Sequence, residues 1–201
     1  MTFMTRRDFL AASTSSAAVL VTAAPSWAAL DPNKARSLID DLVAAINKVI
    51  ASGKSEAAMY RDFEAIFRKY ADTSYIAAYA MGVDGRRATS AQKSAFSDAF
   101  ISYIGRKYGS RFREFIGGRL EVNEVRPLKD FFEVSTTAYL RGEKPFEVSF
   151  HVSDRTGKHL FFNMFIEGVN LLLTERTEVG AMLDKRGGNI DAMIEDLKKA
   201  G

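Results

Sequence analysis

Of the groups in this sequence able to act as acid, base, nucleophile or metal ligand, hardly any are spaced to work together. The only two histidines, His151 and His159, fall on either side of one hairpin. Two imidazoles with no carboxylate at helical or strand spacing make a poor metal site, so a solvated, cross-strand polar pair is expected. Asp40-Asp41 and Glu195-Asp196 fall on polar helix faces, where a carboxylate pair is solvated charge. Glu167, just before Gly168, has the position of a residue that caps the following helix or accepts from its backbone amides, with general base as the alternative role. Tyr103, Glu167 and His151 are the one set from which an acid–base pair could be drawn, for an isomerase or dehydratase acting on an apolar small molecule. No Gly-x-Ser-x-Gly elbow or Gly-x-x-x-x-Gly-Lys loop occurs. The sequence has no cysteine, which excludes thiol catalysis and thiolate metal sites. The expectation is a protein without catalytic residues, metal or cofactor.

The elements that would position these residues follow from periodicity. Residues 33–50 carry Leu38, Ile39, Leu42, Val43, Ile46, Val49 and Ile50 on one helical face, behind a cap at Asp31-Pro32. Residues 55–70 form a second helix striped by Met59, Phe63, Ile66, Phe67 and Tyr70, and residues 73–81 a short third. Thr89-x-x-Gln92 is a capping box that opens a helix to about Tyr108, with Phe96, Phe100, Tyr103 and Ile104 as its apolar face. A continuation over residues 111–115 would stop at Gly117-Gly118. The period then changes to two. Leu120, Val122 and Val125 mark one strand; Phe132, Val134, Thr136, Ala138 and Leu140 mark a second; Phe146, Val148, Phe150 and Val152 a third. Residues 159–166 make a fourth, with Phe161 and Phe165 on one face and Leu160, Phe162, Met164 and Ile166 on the other. Helices over 171–186 and 189–199 close the chain. Hairpin connections imply an antiparallel meander, and a twisted sheet with one apolar face needs a helical cover. The fold class is therefore α+β: a curved four-stranded antiparallel sheet packed on amphipathic helices.

Residues 1–28 read as a cleavable export signal, leaving 29–201 as one domain. Arg6 and Arg7 precede an apolar run at 10–22, and Ser26-Trp27-Ala28 has the small-x-small form of a cleavage site. The run falls short of the roughly 20 residues that span a bilayer. Thr5-Arg6-Arg7-Asp8-Phe9-Leu10 resembles a twin-arginine signal, with a general secretory signal as the alternative. Either route leads to the periplasm. The net charge of +3 falls by one when Arg6, Arg7 and Asp8 leave, and no basic run interleaves with aromatics, so nucleic acid is not an expected partner.

What remains is apolar. Of 15 phenylalanines, all but Phe3 and Phe9 lie beyond the leader, many on the inward faces above. Periodicity alone leaves two readings open, a filled core and a cavity wall, because both demand the same residues at the same spacing.

Phe162-Asn163-Met164-Phe165-Ile166-Glu167-Gly168-Val169-Asn170-Leu171 resembles the strand-to-helix signature of the MlaC-like, or toluene-tolerance, family of periplasmic phospholipid-binding ABC-transporter auxiliary proteins. Thr174-Glu175-Arg176-Thr177-Glu178-Val179 and Gly187-Gly188-Asn189-Ile190-Asp191 resemble later family segments. Tyr79-Ala80-Met81-Gly82 and Ala88-Thr89-x-x-Gln92-x-x-x-Phe96-x-x-x-Phe100 resemble earlier ones. The departures are Gly85 for a usual Trp, Glu175 and Val179 for aromatics, and Asn163 for Asp. The resemblance implies a cystatin-like or nuclear-transport-factor-like roll that carries phospholipid between the substrate-binding ring of an inner-membrane ABC transporter and an outer-membrane complex, maintaining outer-membrane lipid asymmetry. Export of hopanoid or another lipid is the alternative within the family.

A carrier must match the bilayer's gain of about 0.8 kcal/mol per buried methylene, roughly 20 kcal/mol for two chains, which calls for a deep apolar pocket. The wall expected from the inward pattern is Phe132, Val134, Phe146, Val148, Phe150, Phe162, Met164 and Ile166 from the sheet. Facing them would be Ile46, Phe63, Phe67, Phe100 and Ile104 from the helices. Arg141 and Arg176 are the candidates for a headgroup phosphate.

Overall fold

The computed structural model describes residues 31–111, 116 and 118–201. The leader read over 1–28 and the helical continuation over 112–115 lie outside the described residues, as does Gly117. Among the described residues, six helices and five strands follow in the order α1 (Pro32–Ile50), α2 (Glu56–Tyr70), α3 (Thr73–Met81), a 3-10 turn (Gly82–Arg86), α4 (Ser90–Arg111), β1 (Arg119–Pro127), β2 (Phe132–Tyr139), β3 (Phe146–Ser153), β4 (Leu160–Ile166), β5 (Val169–Asn170), α5 (Leu171–Lys185) and α6 (Ile190–Lys199).

Local chemistry sets the helix starts. The Asp31 side chain accepts from the Asn33 amide with Pro32 in the first turn, and Asp72 accepts from the Tyr75 amide at the head of α3. At α4 the capping box is reciprocal: the Gln92 amide donates to Thr89 Oγ1 at 3.2 Å, and the Thr89 amide donates to Gln92 Oε1 at 3.0 Å. Asn170 and Asn189 cap α5 and α6 in the same way.

The strands form one antiparallel meander, β1-β2-β3-β4-β5. The α+β class holds, with one strand more than the sequence pattern gives. The extra strand is the two-residue β5, joined to β4 by Glu167 and Gly168, whose φ angles of 49° and 79° make a two-residue turn with both φ values positive. Glu167 is thus an exposed turn residue, and Asn170, not Glu167, caps the helix that follows.

β2 alternates strictly, with Phe132, Val134, Thr136 and Ala138 buried. They pair with Val152, Phe150, Val148 and Phe146 of β3, so these residues share the inward face. On β4 the alternation breaks. His151 pairs with Asn163 and Val152 with Phe161, which leaves Phe162 as the extra residue of a bulge. Phe161 therefore joins the inward face with Met164 and Ile166. The Phe162 ring packs against Tyr75 and Phe131, at centroid distances of 5.5 and 5.3 Å. This corrects the face that simple alternation gives Phe161.

α1 covers β1 and β2, α4 packs between α2 and α6, and α5 lies against α3 and β4. The tightest interior lies at Phe96, Phe100, Ile39, Met193 and Leu197, each almost or wholly inaccessible. α2 approaches α4 closely because Gly105 and Gly109 face it: a Cβ on Gly105 would sit 3.2 Å from Glu64 Cβ, and one on Gly109 2.6 Å from the Tyr60 ring.

Candidate functional site

A cavity of about 190 Å³ lies between α1, α2 and α4 on one side and β3 and β4 on the other. Its position follows from the layers. α1 seals the β1–β2 half of the sheet, while over β3 and β4 the helices stand off. Ile46 of α1, Phe63 and Phe67 of α2, Ile104 of α4, and Val148, Phe150, Phe162, Met164 and Ile166 of the sheet all line it. So do Leu42, Ile66 and Ile76, which belong to helical stripes or segments legible in the sequence, and Phe161, Leu171 and Leu172, which the bulge and the β5–α5 junction bring in. Phe161 sits edge-on to Phe150 at 5.6 Å and 5.9 Å from Phe67, joining the sheet wall to the helical wall.

Four residues expected in the wall lie elsewhere. Phe100 is fully buried and stacked on Phe96 at 5.5 Å. Phe132 and Val134 are buried on the half of the sheet that α1 and β1 close, and Phe146 packs against the core without bordering the cavity. Arg141 is exposed just after β2. The Arg176 guanidinium lies over the Tyr79 ring, 5.1 Å from its centroid, and against Gly82. Neither arginine lines the cavity.

Among the residues that line it, only Tyr108, Asn163 and Glu175 have side chains with oxygen or nitrogen atoms. Asn163 is satisfied by fold contacts: its Oδ1 accepts from the amides of Met164 and Leu172, tying β4 to the start of α5. Glu175 is different. It is 3 % exposed, and its Oε1 accepts from Lys107 Nζ at 2.7 Å and from the Tyr108 hydroxyl at 2.5 Å. Its Oε2 is buried with no hydrogen-bond partner. A buried acceptor left without a donor costs about 1–3 kcal/mol.

Lys107 Nζ also donates to Glu178 Oε2 at 2.6 Å, and the Tyr103 hydroxyl donates to the same oxygen at 2.7 Å. Burial and the bond to Glu178 push the Tyr103 phenol well above its ordinary range. Burial works to raise the Glu178 carboxyl, but the bonds from Lys107 and Tyr103 outweigh it and hold that group below its ordinary value. This network joins residues 67 to 75 positions apart, which no local spacing signals.

The acid–base set of Tyr103, Glu167 and His151 is not assembled. Tyr103 is engaged with Glu178, Glu167 is in the exposed β4–β5 turn, and His151 lies on the sheet face opposite to the cavity. There His151 meets Glu133 at 3.5 Å and packs with Phe131 and Phe165, at centroid distances of 4.6 and 4.7 Å. Burial lowers its pKa, partly offset by Glu133. His151 and His159 are not cross-strand partners, since His151 stands opposite Asn163 and His159 precedes β4. Among the described residues no group of three or more acidic, histidine or cysteine side chains could hold a metal ion.

A model of the MlaC protein family matches residues 36–199, a span that takes in every wall of the cavity. The chain belongs to the MlaC family. The fold is also similar to a solved structure, the phospholipid-binding protein from Ralstonia solanacearum in complex with a phospholipid. The TM-score is 0.69 at 20 % identity, covering 85 % of this chain and 96 % of that one. At that identity the likeness establishes a shared fold. Within the MlaC family fold, the cavity falls between the helical layer and the β3–β4 half of the sheet.

Proposed function

We propose that this chain is a periplasmic lipid carrier, which holds the hydrocarbon of a phospholipid in the cavity beneath α2 and α4 and performs no covalent chemistry. It would pass that lipid between the ring of an inner-membrane ABC transporter and an outer-membrane complex. The observation that carries this reading is an almost wholly apolar cavity that opens beside a core of buried side chains. Membership of the MlaC family and the similarity to a phospholipid-binding protein support it.

Size adds a requirement. Pockets for drug-sized ligands run to about 300–1,000 Å³, and an apolar void of about 150 Å³ holds a single benzene-sized guest. At about 190 Å³, the cavity accepts part of one chain, so a whole acyl chain demands that the helices part from the sheet. Each further methylene admitted contributes about 0.8 kcal/mol toward that movement.

The test is organic extraction and mass spectrometry of the chain purified gently from a bacterial host. Phospholipid at close to one molecule per chain is the expected result. Its repeated absence would mean that the protein acts as a ligand-free adaptor.

A further inference from the structure

A single exposed apolar side chain is ordinary on a protein surface, so the 55 % exposure of Val169 carries nothing by itself. Its place in the sheet does. Val122, Thr136, Val148, Ile166 and Val169 are successive partners from β1 to β5 and form one row across the sheet. Side chains directly opposite one another share a face, and here it is the inward one. Along the row Thr136 is wholly buried, Val148 is buried at the cavity wall, Ile166 is half-buried at that wall, and Val169 lies in the open. Among the described residues β5 is the edge of the sheet.

We propose that the lipid's hydrocarbon enters and leaves the cavity over this edge, and that Val169 is a ligand-contacting residue outside the enclosed space. The inference rests on the carrier reading and adds a path to it. The wall opens in this direction. Phe161 and Phe162 at the start of β4 are buried, whereas Met164 and Ile166 at its end, and Leu171 beyond β5, are half-buried. Val169 stands opposite Ile166 and two residues before Leu171, so the apolar surface runs unbroken from the cavity to the rim. A cavity of about 190 Å³ encloses part of one chain, and methylenes outside it gain by lying against the adjoining apolar surface instead of in water.

The test exploits the absence of cysteine, since Val169→Cys and Leu173→Cys each carry a single thiol. Leu173 is the control. It is 52 % exposed, but it precedes the buried Glu175 by two residues and so stands roughly 160° round α5 from it. Each full-length variant is delipidated, or loaded from phosphatidylethanolamine–phosphatidylglycerol vesicles or with oleate. It is then separated from vesicles and excess oleate, its bound lipid is quantified, and its thiol is modified with iodoacetamide. Either bound lipid should slow modification severalfold in Val169→Cys and leave Leu173→Cys unchanged. An unchanged rate in Val169→Cys with lipid bound, or equal slowing in both variants, overturns the inference and leaves the carrier reading standing. Protection by phospholipid but not by bound oleate assigns the cover to the headgroup and overturns it too. If neither lipid binds, the carrier reading itself fails.

Discussion

Val148 and Phe100 are both hidden from solvent and differ in what they face. Both are at least 96 % buried, but Val148 borders open space and Phe100 is sandwiched by Phe96 and Tyr103. Substitutions should separate them. Val148→Trp places its added bulk in the cavity, so lipid recovered per chain should fall severalfold while the melting temperature moves by only a few degrees. Phe100→Ala removes a ring that nothing replaces, so it should cost about 3–5 kcal/mol in urea unfolding. Equal destabilisation by the two would mean that Val148 is ordinary core.

At the scale of elements, the β3–β4–β5 region carries most of the site through two departures from regular pairing. The bulge at Phe162 turns Phe161 into the cavity and re-aims the Phe162 ring toward Tyr75. The turn at Glu167-Gly168 folds the chain back after one short pair and starts α5 where Leu171 and Leu172 reach the cavity wall and Glu175 follows one turn later. Glu167 occupies the left-handed region at φ 49°, which disfavours a side chain with a branched or long β-substituent relative to Asn or Gly. Glu167→Asn should therefore stabilise the protein by about 0.5–1 kcal/mol in urea unfolding and leave lipid binding unchanged. A loss of stability would show that the Glu167 side chain makes a contact that matters more than its backbone.

Across the whole molecule, binding has to work against packing. If the proposed carrier loads a whole acyl chain into a cavity of about 190 Å³, loading draws on the freedom of α2 and α4 relative to the sheet. A ligand that binds the folded chain alone stabilises it by mass action, about 2.7 kcal/mol at a hundredfold excess over the dissociation constant. For a chain of this size that corresponds to a melting temperature higher by roughly 5–10 °C. Delipidated protein titrated with detergent-dispersed phospholipid should show this rise, increasing with lipid concentration and reaching no plateau at low excess. A melting temperature independent of added lipid would argue against a carrier.

Helix positions, caps and strand positions were legible in the sequence because they depend on neighbours within a few residues. Thr89 and Gln92 meet across one turn, and the period of two from Phe132 to Ala138 fixes which side chains share a face. Much of the cavity wall followed, since Ile46, Phe63, Phe67, Val148, Phe150, Met164 and Ile166 stand where those periods place them. Only the tertiary structure decided which half of the apolar face is filled and which is open. α1 closes the sheet over Val134, whereas the helices above Phe150 and Met164 leave space. It also decided that Phe161 faces inward, and that Glu175 meets Lys107 and Tyr108 at the edge of that space. Local pattern specifies that a residue is apolar and on which side it lies. Whether it touches protein or a guest depends on the distance between layers, and that distance is set by contacts between residues far apart in the chain.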